Sequence, residues 1–370
     1  MPSEWGPAMR IAVLLHDFSG GGSERVAIRL ANGWVAAGRS VTILCGTEAG
    51  PLRSLVADGV TVRAVVPTIL RGRGSRRRLG RAMAAVVRDA GFDILVGPGN
   101  FHAPVLRALA DRLGKAAPPM VCKISNPVGR ADQTRLRRIW AAWKFRRATR
   151  RCDALVAMSP LLAGAAARAL RRAVDSCPEP SIDDDWIAPA RTGGGRMILC
   201  AGRLVAQKRF ALALEAFARL DPCCRLTILG DGEERAMLER RVVALGVAGR
   251  VEFAGHVAAI GPWLGQADAF LSTSVYEGYP AVLVEAVAAG VPVVTTDCSP
   301  ALAEILPGQG LGRIVAADAE RLAEALRAVL TAGAMDGAAR AALIERHRLA
   351  TAAAAWLAVL DRVVARRSAG

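Results

Sequence analysis

The sequence predicts an α/β protein made of two successive doubly wound domains with parallel sheets. Three observations carry that prediction. Short β-branched runs alternate with longer Ala-, Leu- and Arg-rich stretches of helical spacing, first from Met9 to about Leu170 and again from Met197 to about Leu330. Between the two series lies Asp175 to Gly195, crowded with Pro, Gly and Asp, which reads as an interdomain linker. A chain of 370 residues also has room for two domains that each bury a core.

In the first series, strands are expected at Arg10 to Leu15, Val41 to Cys45, Thr61 to Val66, Ile94 to Val96, Met120 to Ile124 and Ala154 to Ala157. The first strand runs into His16-Asp-Phe-Ser-Gly-Gly-Gly-Ser-Glu-Arg-Val. Three consecutive glycines let backbone amides approach a ligand, and Ser23 is placed to cap the helix that follows, an arrangement that favours phosphate. A nicotinamide-binding reading falls back, because no acidic residue ends the next strand at the usual distance, where Cys45 leads into Gly46. Arg71 to Arg78 looks like a mobile basic loop. In Arg135 to Arg151, Leu136, Ile139, Trp140 and Trp143 share one helical stripe with Arg and Lys around it. Two readings of that stripe stay open: an interfacial helix on anionic lipid, or a helix packed on its own sheet.

In the second series, strands are expected at Met197 to Ala201, Arg225 to Leu229, Val251 to Phe253, Ala269 to Leu271, Val291 to Thr295 and Arg313 to Val315. Arg203 and Lys208 flank the turn after the first of these, so both cations can converge on one anion at the sheet's carboxyl edge. Gly230 and Gly232 permit close backbone approach after the second strand, and Asp231 reads as a helix cap. His256 follows the third. Glu277 and Glu285 stand eight apart, with Gly278 and Pro280 where a loop turns into a helix N-terminus. Two carboxylates placed along such a helix suit the hydroxyls of a ribose and a sugar. A final helix is expected over Ala352 to Arg366.

Charge is uneven. The chain carries +16 overall, yet residues 1–180 hold 29 basic and 12 acidic side chains, net +17, against 20 and 21, net −1, in residues 181–370. That asymmetry points to an anionic partner for the first half: a membrane surface, a phosphorylated lipid acceptor or nucleic acid. No apolar run reaches the roughly eighteen residues of a spanning helix, and a cytoplasmic protein is expected. The eight cysteines show no C-x-x-C and no histidine at zinc spacing, so they read as reduced core thiols and no metal site is expected. Asp183 and Asp185 form a D-x-D, but no hydrophobic strand precedes them, and the run reads as acidic linker.

The stretch from Leu271 to Asp297 resembles the donor-site signature of retaining glycosyltransferases of the GT-B fold, specifically glycosyltransferase family 4. That signature reads S-x-x-E-G-[FY]-P and then E-A-x-A-x-G-x-P-V-[VI], and the residues from Ser274 to Val294 match it. The turn at Gly202 to Lys208 resembles the family's G-R-L-x-x-x-K motif, and Gly21 to Val26 its G-G-[AS]-E-R-V turn. Arg209 departs from the small residue usual there, and Asp297 to Glu304 lacks the usual glycines. The resemblance implies two Rossmann-like domains facing a central cleft: an acceptor domain over 1–180, a linker over 181–196, a donor domain over 197–350 and a helix over 351–370 crossing back to the first domain. It implies that Arg203 and Lys208 hold a donor diphosphate, Glu277 the sugar and Glu285 the ribose. Gly21, Gly22, Gly202, Gly230, Gly232, Gly278 and His256 would line the nucleotide sugar.

The implied activity is a metal-independent, retaining transfer from a UDP- or GDP-sugar to an acceptor such as a lipid-linked glycan, in cell-surface polysaccharide synthesis. Glu277, Arg203 and Lys208 would carry the chemistry. His16, His102 and Asn126 are the candidates on the acceptor side, where family members often hold a histidine. The enzyme would be cytoplasmic or peripheral on the inner face of the plasma membrane, with no nucleic-acid partner. Two rivals stand beside this reading: a GT-B sugar-nucleotide epimerase, and a non-catalytic basic protein that binds membrane or nucleic acid.

Overall fold

The computed structural model describes residues 9–130, 132–190, 192, 196–332 and 335–369. The Gly193 to Gly195 end of the expected linker lies outside them. Contacts divide the chain into two units, Met1–Pro180 with Arg348–Gly370, and Ser181–His347.

The first unit holds strands β1 (Arg10–Leu14), β2 (Ser40–Cys45), β3 (Thr61–Ala64), β4 (Ile94–Gly97), β5 (Met120–Lys123), β6 (Ala154–Ala157) and β7 (Asp175–Ser176). They form one parallel sheet in the order β3-β2-β1-β4-β5-β6-β7. Its helices are α1 (Gly22–Ala36), α2 (Ser75–Ala90), α3 (Ala103–Leu113), α4 (Arg135–Thr149) and α5 (Pro160–Leu170). The central strands are apolar on both faces because helices cover both, and β4 and β5 are buried throughout. One core layer sets β1 and β2 against α1, the other against α2 and α3.

The second unit holds β8 (Met197–Ala201), α6 (Phe210–Phe217), β9 (Arg225–Leu229), α7 (Arg235–Ala244), β10 (Val251–Gly255), α8 (Gly261–Gln266) and β11 (Ala269–Ser272). It continues with α9 (Ala281–Ala288), β12 (Val293–Thr296), α10 (Leu302–Ile305), β13 (Gly312–Val315), α11 (Ala319–Thr331) and α12 (Gly337–His347). Its parallel sheet runs β10-β9-β8-β11-β12-β13. The last helix, α13 (Leu349–Ser368), belongs to the first unit, where Trp356 meets Trp34 of α1 with ring centroids 6.2 Å apart. Gly33 makes the close approach possible, since a Cβ there would stand 3.0 Å from that of Ala353.

Three local expectations are corrected. Ser23 does not cap α1: Gly21 holds the cap position without a side-chain bond, and Ser23 lies inside the first turn. Arg71 to Arg78 is not a mobile loop, because α2 begins at Ser75 and Arg71 is held by two carboxylates. Asp175 and Ser176, expected in the linker, pair with β6 as the edge strand β7.

Candidate functional site

In an open parallel sheet, ligands collect beyond the carboxyl ends of the strands where the order reverses. In the second unit that point lies between β8 and β11, whose following turns carry Arg203 with Lys208 and Glu277 respectively. The two turns are joined directly. Lys208 Nζ lies 2.7 Å from Glu277 Oε1, which also accepts a 2.7 Å bond from Ser274 Oγ. Among the described residues Glu277 Oε2 carries no hydrogen bond, and Lys208, with three donors, keeps two for another acceptor. Arg203 is exposed and pairs with no described carboxylate.

Backbone and side-chain bonds fix this geometry. The Val275 amide donates to Gln207 O at 2.8 Å, Gln207 Nε2 donates to Tyr276 O at 2.8 Å, and Thr273 Oγ1 donates to both Lys208 O and Arg209 O at 2.9 Å. The Glu277 amide donates to Cys298 O at 2.7 Å, and Ser299 Oγ to Gly278 O at 2.9 Å. Gln207 and Thr273 were invisible as site residues in the sequence, whereas Ser274 opens the S-x-x-E pattern three residues before Glu277. Arg209, the departure from the family turn, sits at φ 51° as the N-cap of α6, a left-handed position that small residues adopt more easily.

The glycines serve packing as much as access. A Cβ on Gly230, at φ 119°, would stand 2.0 Å from Gly202 O, and one on Gly232 2.4 Å from Leu204 O. Both glycines let the turn after β9 lie against the turn after β8. Asp231 is not a helix cap: its Oδ1 accepts from the Gly232 amide at 2.7 Å, and Glu234 holds the cap position of α7. His256 follows β10 and is exposed, and Glu285 is half-buried on α9. Pro280 precedes α9 with no side-chain cap, and the Ala281 and Leu283 amides donate to Tyr279 O and Pro280 O at 2.9 Å. Among the described residues, no group of three or more His, Cys, Asp or Glu could hold a metal ion.

In the first unit the order reverses between β1 and β4. The turns there carry His16 and Asp17, and Asn100, Phe101 and His102. Arg71 NH2 donates to Asp17 Oδ1 at 2.9 Å and to Glu24 Oε1 at 2.7 Å, and its guanidinium lies 4.8 Å from the Phe101 ring centroid. Burial by itself would raise the Asp17 carboxyl, but hydrogen bonds from Arg71 and Ser19 hold it down at about 2. Gly21 is set by this network, since a Cβ would land 2.2 Å from Glu24 Oε2, while Gly22 faces open space. His16 and His102 have no exposed surface. Burial lowers the pKa of both, that of His102 to about 3 with the nearby Arg71 charge adding to the effect. His16 Nε2 lies 3.1 Å from Ser75 Oγ, whereas neither ring nitrogen of His102 has a partner. Asn126 is exposed, its backbone bonded to the side chain of Asn100.

Residues 195–332 match the family model for glycosyl transferases group 1, and residues 20–175 that for glycosyltransferase family 4. The lipopolysaccharide core biosynthesis glycosyltransferase LpsE of Rhizobium meliloti is 36% identical over 150 residues, which is 40% of this chain and 43% of LpsE. A Campylobacter jejuni enzyme, the N-acetylgalactosamine-N,N'-diacetylbacillosaminyl-diphospho-undecaprenol 4-alpha-N-acetylgalactosaminyltransferase, is 31% identical over 125 residues, 34% of each chain. The chain thus spans less than half the length of these curated relatives. Among solved structures, Anabaena HepE in complex with UDP and glucose has a TM-score of 0.75 at 18% identity, covering 95% of this chain and 99% of that one. At such identity the likeness is one of fold.

Proposed function

Because the chain belongs to the group 1, family 4 glycosyltransferases and has the two-domain GT-B fold, we propose that it moves a sugar from a nucleotide-diphosphate donor to an acceptor in cell-surface glycan synthesis. The observation that carries this reading is the Lys208–Glu277 pair, with Arg203 beside it, at the switch point of the second sheet. Arg203 and the two remaining Lys208 donors bind the diphosphate and stabilise the charge that grows on it as the glycosidic bond breaks. Glu277 Oε2 accepts a sugar hydroxyl, and Glu285 the ribose hydroxyls.

Transfer proceeds with retention. The acceptor oxygen attacks the face that the diphosphate leaves, and a departing phosphate oxygen takes the acceptor's proton. The two cations do the work that a metal does in other phosphate-leaving reactions, so turnover persists in a chelator. On the acceptor side, Asn126 is the exposed member of the three candidates. Relatives named for lipopolysaccharide core and diphospho-undecaprenol substrates support a lipid-linked acceptor.

Melting curves with UDP, GDP and their sugars test the donor site. A ligand that binds the native state at about a hundred times its Kd adds about 2.7 kcal/mol of stability. One nucleotide series is expected to raise the melting temperature, and Arg203→Ala to abolish the rise. No response to any nucleotide, or a response that survives Arg203→Ala, overturns the assignment. Turnover of the nucleotide sugar to another nucleotide sugar without acceptor would identify an epimerase instead.

A further inference from the structure

We propose that α4 is the surface by which this protein docks on an anionic lipid bilayer. The helix joins the fold through one side only, where Phe145 and Thr149 are buried. At about 100° per residue, Leu136, Ile139, Trp140 and Trp143 fall within an arc of about 100° centred opposite that pair. They are 79%, 57%, 60% and 53% exposed, so the apolar stripe faces away from the domain it belongs to. This answers the question the sequence left open: the stripe does not pack on the sheet.

Charge identifies what covers it. Arg137 and Lys144 line one edge of the stripe, and Arg135 and Arg146 the other. No acidic residue occurs between Gln133 and Cys152. Lys144 Nζ lies 4.9 Å from the Trp140 ring centroid and Arg147 Cζ 5.8 Å from that of Trp143, so the cations sit level with the indoles. An apolar stripe with two indoles, edged by cations on both sides, fits the boundary between acyl chains and anionic headgroups. A second copy of the same helix does not fit, because pairing would oppose six cations to six others with no acid between them. The inference stands apart from the sugar-transfer reading, and no residue in it was placed in the donor site.

The test is sedimentation of the full chain with vesicles of phosphatidylcholine alone or with about one third phosphatidylglycerol, with indole emission followed in parallel. Binding is expected only to the anionic vesicles, with a blue shift and with quenching by brominated acyl chains. The double variant Trp140→Ser/Trp143→Ser should bind about tenfold more weakly at unchanged melting temperature and unchanged nucleotide affinity. The quadruple variant Arg135→Gln/Arg137→Gln/Lys144→Gln/Arg146→Gln should lose the preference for anionic lipid. Four outcomes overturn the proposal: no binding to anionic vesicles, binding that the tryptophan variant leaves intact, indoles that stay in water, or a dimer in the absence of lipid that the tryptophan variant dissolves. Loss of nucleotide affinity in a variant would bear on the donor site, so the two readings fail separately.

Discussion

The two sheets reverse their strand order in the same way, yet the side chains at the two reversals are arranged oppositely. In the second unit Arg203 is exposed and Lys208 has donors to spare, so cationic charge is available at the surface. In the first unit Arg71 is spent on Asp17 and Glu24, an exposed Arg76 lies 5.0 Å from the centroid of the same Phe101 ring, and two histidines lie buried nearby. The same doubly wound scaffold therefore makes one edge that can receive a diphosphate and another whose two carboxylates and nearest guanidinium satisfy one another. A glycine-rich turn does not decide between the two; the partners of the nearest cation do.

The sharpest way to break this contrast is Lys208→Ala. If the amine stabilises a leaving diphosphate, kcat/KM should fall about 10²–10³-fold, about 3–4 kcal/mol, with little change in melting temperature. An activity loss below about threefold would mean that the amine merely anchors Glu277. Arg71→Ala should do the reverse. It leaves two carboxylates in a largely buried setting, costing about 2–3 kcal/mol of stability, while nucleotide affinity at the second unit stays as it was. A drop in nucleotide affinity instead would erase the division of labour.

At neutral pH the smallest effect belongs to His102. Its pKa is about 3 folded against 6.5 as an ordinary histidine, so between those values the unfolded chain binds a proton that the native state excludes. Stability tied to this group is complete above pH 6.5 and falls as acid is added, by about 1.4 kcal/mol per pH unit well inside the window. His102→Phe should remove that slope in denaturant titrations between about pH 6 and pH 4. An identical slope in both proteins would mean that the ring finds a proton partner.

Much of this fold could be read from the chain because parallel strands are buried on both faces. Ile11 to Leu14, or Met197 to Ala201, announce themselves as unbroken apolar runs. What escaped lacked such a signal. Asp175–Ser176 is too short and polar to stand out from a linker, and Arg71 to Arg78 looks loop-like because its glycines and arginines hide the start of α2 at Ser75. At the donor edge the charged residues were legible through their spacing, but Gln207 and Thr273 act through bonds that form only after two turns meet. Arg71 finds Asp17 and Glu24 54 and 47 residues away, a distance that no local pattern encodes. The stripe on α4 was visible, whereas its direction was not, since an amphipathic period is the same whether the apolar face meets a core or a solvent boundary.

The return of α13 to the first unit makes the whole second unit an insertion in the chain of the first. During synthesis the residues of Ser181–His347 are all available to fold before Leu349–Ser368 has been made. Trp34 meanwhile waits on α1 without the indole that closes over it. The amino-terminal part is begun first and finished last, and a chain cut short before Leu349 would leave an apolar flank on α1 uncovered for chaperones or proteases to find.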